Sequence, residues 1–158
     1  MKIGLLSDSH GNIQYVKKAG VYLKDNAKAG LIVHLGDDCE DVQPLKGLGI
    51  EIIKIPGVSG LCCHDPGLPL RVSRNIEGVN VFMTHSPEFP ENELSQGTKA
   101  VFYGHTHIAK IENKKGVLWV NPGHLRESDK KGNPASFAIV EIKGAKISAR
   151  IINYSDIA

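Results

Sequence analysis

A chain of 158 residues with 41% hydrophobic and 23% charged content has the make-up of one globular domain. It is long enough to bury roughly two thirds of the surface that its unfolded form exposes. A formal net charge of +2, with Lys17-Lys18, Lys114-Lys115 and Lys130-Lys131 spread along the chain, provides no basic block for nucleic acid, and no apolar run approaches the roughly 18 residues of a membrane span.

The opening run Lys2-Ile3-Gly4-Leu5-Leu6 predicts a strand buried on both faces, ending at the polar cluster Ser7 to Asn12. The segment is too short for a secretory signal. Ile13, Val16, Ala19 and Leu23 then recur at helical spacing up to about Asn26, with Lys17, Lys18 and Lys24 left for an outer face. A second buried strand, Leu31 to Leu35, runs into Gly36-Asp37-Asp38, and the order strand, helix, strand predicts that the two strands are parallel. His34 lies within this apolar run and reads as a hydrogen-bonded core residue.

A third strand, Ile50 to Ile55, leads to Gly57-Val58-Ser59 and a loop rich in Pro, Gly and Cys. Strands follow at Arg71 to Asn75, at Val79 to Thr84 before His85, and at Ala100 to Tyr103, with a short helix expected around Glu91 to Ser95. The remainder reads as strands at Ile108 to Glu112, Gly116 to Val120, Ser136 to Ile142 and Ala145 to Ile152, divided by turns at 113–116 and 143–144. Three cysteines, Cys39, Cys62 and Cys63, are odd in number and lack zinc spacing, which suits reduced thiols in a cytoplasmic protein.

Metal-type donors follow four apolar runs: Asp8 and His10, Asp37, His85, and the pair in Gly104-His105-Thr106-His107. If the paired histidines sit on extended backbone, period-two alternation points both imidazoles to one side. Carboxylate and imidazole together suit manganese, iron, zinc or nickel better than calcium or magnesium. Two such cations bridged by one carboxylate are the arrangement that hydrolyses phosphate esters.

These motifs in this order, with Asn121-Pro122-Gly123, resemble the calcineurin-like metallophosphoesterases, in particular their compact microbial phosphodiesterases. The resemblance spans Met1 to about Ile142. It implies an α/β fold, a four-layer αββα sandwich of two mixed β-sheets flanked by helices, as a single domain over residues 1–158. It also implies one divalent metal on Asp8, His10, Asp37 and His107 and a second on Asp37, His85 and His105, with Asp37 bridging and a hydroxide held between the metals. Manganese is the first choice of metal, and nickel, iron or zinc are alternatives. Relatives carry Gly-Asn where this chain has Gly57-Val58, and valine has no donor atom for the second metal.

His124 and Arg126 follow the Asn-Pro-Gly turn and are candidates for leaving-group protonation and phosphate binding. Asn12 is a candidate both for orienting substrate and for capping the first helix. The implied partner is a small phosphate ester, with no membrane and no nucleic acid, and a homo-oligomer stays open. The competing reading is a protein-binding scaffold of the same fold, like the retromer subunit that resembles these enzymes.

Overall fold

The computed structural model describes residues 1–157. Its strands are β1 (Lys2–Leu6), β2 (Leu31–His34), β3 (Glu51–Lys54), β4 (Arg71–Ile76), β5 (Val79–Thr84), β6 (Thr98–Phe102), β7 (Lys110–Lys114), β8 (Val117–Asn121), β9 (Ser136–Lys143) and β10 (Lys146–Asn153). They sort into two five-stranded sheets, ordered β10-β9-β1-β2-β3 and β4-β5-β6-β8-β7. In the first, β1, β2 and β3 are parallel and β9 runs against β1 and β10. In the second, β5, β6 and β8 are parallel, flanked by antiparallel edges β4 and β7. Parallel and antiparallel pairing is thus mixed within each sheet, as the family resemblance implied.

One apolar layer lies between the sheets, built from Ile3, Leu5, Val33 and Ile55 on one side and Val81, Met83, Phe102 and Val120 on the other. A second lies outside the first sheet, where Val16, Ala19 and Leu23 of α1 (Ile13–Asp25) and Val42 and Leu45 of a 3-10 segment, Cys39–Leu48, meet Ile32, Phe137 and Ile139. Each fully buried Val or Leu there contributes about 1.5–3 kcal/mol of transfer free energy, enough to fix α1 on the sheet despite its exposed lysines. The Cys39–Leu48 segment has no helical apolar period and contains Pro44, so sequence pattern did not reveal it.

The outer side of the second sheet is covered more thinly. Phe89 stacks on Trp119 with ring centroids 5.8 Å apart and tilts against Phe82 at 4.9 Å. The short helix expected at Glu91 to Ser95 is one 3-10 turn, Glu91–Glu93. No helix of the described residues is long and apolar enough to cross a membrane.

Two expectations are corrected. Cys39 and Cys62 form a disulfide, with Cα atoms 5.9 Å apart, so two of the three expected thiols are paired and Cys63 alone is free. The pairing also removes the cysteine argument for a reducing compartment. The strand expected at Ile108 to Glu112 starts at Lys110, because His105 and His107 take left-handed backbone, φ 68° and 62°, and delay the extended run.

Candidate metal centre

The candidate donors meet where β1, β2, β5 and β6 end. Register aligns Leu6 with His34, and the amide of Asp8 donates to the carbonyl of Gly36 at 2.9 Å, while that of Gly104 donates to the carbonyl of His85 at 2.9 Å. Strand ends from both sheets thus open onto one edge, as open α/β sheets place their sites.

Local backbone at this edge is unusual. Asp8, His10, Asp37, His105 and His107 all have positive φ, between 48° and 68°, a region that L residues seldom occupy. The period-two expectation for the histidine pair is therefore wrong. A left-handed loop after β6 sends the two rings to different neighbours. His105 Nδ1 lies 3.2 Å from His85 Nε2, whereas His107 Nε2 lies 3.2 Å from His10 Nε2 and 3.4 Å from Asp8 Oδ1. Asn121 holds that loop by donating to the Gly104 carbonyl at 2.8 Å and to Thr106 Oγ1 at 3.0 Å. Gly104 is required by space, since a Cβ there would sit 2.0 Å from Ser7 Oγ and 2.8 Å from Asp8 Oδ2.

Asp37 stands between the two groups. Its Oδ2 is 3.7 Å from His10 Nε2 and its Oδ1 is 3.5 Å from His85 Nε2. Donor atoms of Asp8, His10, Asp37 and His107 all lie within 4.8 Å of one another. Neighbouring ligands on a cation with bonds of about 2.1 Å lie about 3.0–3.4 Å apart, close to the spacings seen here. Asp8 is fully buried, and its Oδ1 has no hydrogen-bond partner, although leaving a buried carboxylate oxygen unmatched is costly. Its Oδ2 is matched, accepting from Ser7 Oγ and from the amide of His105 at 3.0 Å. An oxygen left bare 3.4 Å from His107 Nε2 suits a cation ligand, so these residues fit a divalent metal.

The charges are mutually supporting. Burial alone would raise the Asp8 carboxyl, but the His107 imidazole, the Ser7 hydroxyl and the charge of His85 outweigh it and hold the carboxyl below its ordinary value. His107 is raised in turn, first by Asp8 and, against burial, by Asp129. His85 donates from Nδ1 to the Leu35 carbonyl at 2.8 Å, which leaves Nε2 as the atom facing Asp37 and His105.

Val58 has only its amide at the centre. It donates to Asp37 Oδ1 at 2.7 Å, as does the Ser59 amide at 3.0 Å, while the Val58 side chain is 73% exposed. Gly57 makes this approach feasible, because a Cβ there would lie 2.2 Å from both the amide nitrogen and Oδ1 of Asp37. The loop is tied down by the Cys39–Cys62 disulfide and by Glu40, which accepts from the amides of Leu61 and Cys62.

His124 does not stand free to protonate a leaving group. It is fully buried, its Nδ1 accepts from the Arg126 amide at 3.1 Å, and its Nε2 donates to the Asn133 carbonyl at 3.0 Å. Burial is the main cause of its lowered basicity, and both nitrogens are engaged, so its place is structural. Asn12 caps α1, accepting from the Tyr15 amide at 3.3 Å, and also lines a cavity of about 370 Å³ with His10, Gly11, Arg126 and Ser128. His34 is a core residue, with Nε2 3.1 Å from Ser9 Oγ.

Sequence reasoning missed three acidic residues beside the centre. Asp38 Oδ2 is 3.5 Å from His10 Nδ1. Asp41 accepts from Ser9 Oγ and from the amide of Gly11, both at 2.8 Å, and so braces the turn that carries His10. Asp129 accepts from His107 Nδ1 at 3.1 Å. Asp38, adjoining the candidate ligand Asp37, was the one with a visible signal. Asp129 lies in a loop with no motif.

Residues 1–145 match the family described as the calcineurin-like phosphoesterase superfamily domain. The chain is 27% identical over 164 aligned positions to phosphodiesterase YfcE of Escherichia coli strain K12, covering 89% of this chain and 88% of the relative. Among solved structures it is similar to an archaeal phosphodiesterase, with a TM-score of 0.77, 22% identity and coverage of 96% and 100%. It also resembles zinc-bound Vps29 from Entamoeba histolytica, with a TM-score of 0.69, 15% identity and coverage of 98% and 99%.

Proposed function

The chain belongs to the calcineurin-like phosphoesterase superfamily, and from that premise we propose that it is a dinuclear-metal phosphodiesterase acting on small phosphate esters. The observation that carries the reading is the gathering of donor atoms of Asp8, His10, Asp37 and His107 within 4.8 Å of one another, with the buried Oδ1 of Asp8 left without a hydrogen-bond partner. In this reading Asp8, His10, Asp37 and His107 would hold the first divalent cation, and Asp37 with His85 and His105 would hold the second. Manganese is the first choice, with iron, zinc and nickel also suited to the donor set. Two cations so held supply Lewis acidity and a water activated for attack on phosphorus.

The chain's own residues orient that chemistry. The amides of Val58 and Ser59 fix one oxygen of Asp37. The Leu35 carbonyl fixes the tautomer of His85. Arg126 lines the polar cavity beside His10, where a guanidinium binds phosphoryl oxygens bidentately. With His124 engaged on both nitrogens, it is not free to protonate the leaving group, so esters of acidic alcohols are the favoured substrates.

Metal analysis of the purified protein, joined to a screen of phosphate mono- and diesters with added manganese, tests the proposal. Metal-dependent turnover of diesters above monoesters supports it. Metal binding with no turnover of any ester, together with a stoichiometric protein partner, would instead favour the scaffold reading that the likeness to Vps29 keeps in view.

A further inference from the structure

We propose that Asp129 is a positioning residue for the metal centre, selecting the tautomer of His107 that presents a bare Nε2 to the first metal. The inference rests on the metal-centre reading above and concerns a residue that lies 22 positions after His107 in an irregular loop. Its two carboxylate oxygens do different work. Oδ1 is 3.1 Å from His107 Nδ1. Oδ2 accepts from the amide of Lys131 at 3.0 Å, from the amide of Asn133 at 3.3 Å and from Asn133 Nδ2 at 2.9 Å. The second oxygen therefore builds the turn, and the turn holds the first oxygen against the imidazole.

A carboxylate is acceptor-only, so the Nδ1 that is hydrogen-bonded to Asp129 must carry a proton, whereas Asp8 Oδ1, 3.4 Å from Nε2, makes no hydrogen bond and places no proton there. In the neutral ring the other nitrogen, Nε2, is then a lone pair, and it is the atom that lies 3.4 Å from Asp8 Oδ1 and 3.2 Å from His10 Nε2. Histidines that bind metals are commonly oriented by such an outer carboxylate, and loss of the partner weakens metal binding about 10- to 100-fold. The loop also carries Arg126, Lys130 and Lys131, which with His105 and His107 line a cavity of about 220 Å³. Asp129 thus links the metal ligand to the cationic wall that faces it.

Asp129→Asn separates the two roles. The amide oxygen can keep accepting from Lys131 and Asn133 while the amide nitrogen takes the place of Oδ1 and donates to His107 Nδ1. That forces the proton onto Nε2, the atom the metal needs. The experiment measures nitrogen chemical shifts of His107 in the metal-free protein, at a pH where the ring is neutral, and the manganese dissociation constant of the first site. The parent should show a protonated Nδ1 and a bare Nε2; D129N should reverse the tautomer and weaken manganese binding about 10- to 100-fold. Asn133→Ala, which removes one of the three donors to Oδ2 and keeps both backbone amides and the acceptor on His107, should lose much less affinity than D129N. A parent ring already protonated at Nε2 would overturn the proposal without any variant. So would unaltered manganese binding by D129N, or an equal loss in N133A, which would make Asp129 a turn residue only. A parent protein that binds none of manganese, iron, zinc and nickel would fell the metal-centre reading itself, whereas parental binding with an indifferent D129N fells this proposal alone.

Discussion

His34 sets a measurable pH dependence of stability. It is fully buried in β2, its Nε2 meets Ser9 Oγ at 3.1 Å, and its Nδ1 has no partner. Ser9 Oγ donates onward to Asp41 at 2.8 Å, so His34 serves it as a donor from Nε2. A second proton would have to sit on Nδ1, unpaired and out of water. Burial accordingly lowers His34 from 6.5 to about 4. Because the folded value is depressed, the unfolded chain binds the proton first as pH falls through 6.5, and stability declines until the folded value is reached. The gap corresponds to about 3 kcal/mol when fully expressed, of which about 1.4 kcal/mol is lost by about pH 5.5. Urea unfolding of the metal-free parent and of His34→Gln at about pH 7, 5.5 and 4 checks this, since only the parent carries the contribution. On acidification the parent should lose those amounts of stability relative to His34→Gln. If the two proteins lose stability in parallel over that window, His34 is not held neutral by the fold and the argument fails.

Three further outcomes follow from the centre and its loop. Asp37→Asn should cost more activity than loss of any single histidine, because it weakens both cation sites; a variant within about tenfold of the parent, about 1.4 kcal/mol in the barrier, would show that Asp37 does not bridge. Val58→Asn should return a neutral oxygen donor to the second site and lower the manganese concentration at which activity saturates, as read from titrations of parent and variant; coincident titrations would mean that the side chain at 58 does not reach the metal. Reduction of Cys39–Cys62, which closes a loop with a sequence separation of 23, should cost about 3 kcal/mol of stability in denaturant melts with and without dithiothreitol; no difference would mean that the unfolded chain is already restrained there.

The strands and the sheet-edge placement of the candidate ligands were legible because each donor follows an apolar run whose burial compels a strand. Leu31 to Val33 have no freedom to be anything but core, so Asp37 had to emerge at a sheet edge. The register that brings Asp8 beside Asp37 is then a consequence of parallel pairing. What stayed hidden lacks periodicity. Nothing in Cys39-Glu40-Asp41 says that Cys39 lies over Cys62 rather than Cys63, since pairing depends on how the loop after β3 folds back. Asp129 reaches His107 through a turn made by its own second oxygen, a contact of tertiary geometry alone. The histidine pair misled for a related reason. An alternation argument presumes extended backbone, and the chain leaves the extended region just after Phe102.

That departure explains why the two histidines serve different neighbours. Five of the six candidate ligands sit at positive φ, where non-glycine residues cost of the order of 1–3 kcal/mol each and persist only if the surroundings over-determine them. Here they do. Asp8 is held through its amide to Gly36 and its carbonyl to the Leu125 amide at 3.3 Å, Asp37 through the Val58 and Ser59 amides, and the His105 to His107 loop through Asn121. Each tether comes from a neighbouring strand end or loop, so neither sheet could hold the ligands alone. Strain, close approach of carboxylates and a bare Asp8 oxygen all burden the metal-free protein at the same edge. A cation that binds only the folded state relieves the last two and stabilises by mass action, about 2.7 kcal/mol at a hundredfold excess over its dissociation constant. The sheets therefore carry the cost of the site in the absence of metal, and the ligands return part of it on binding.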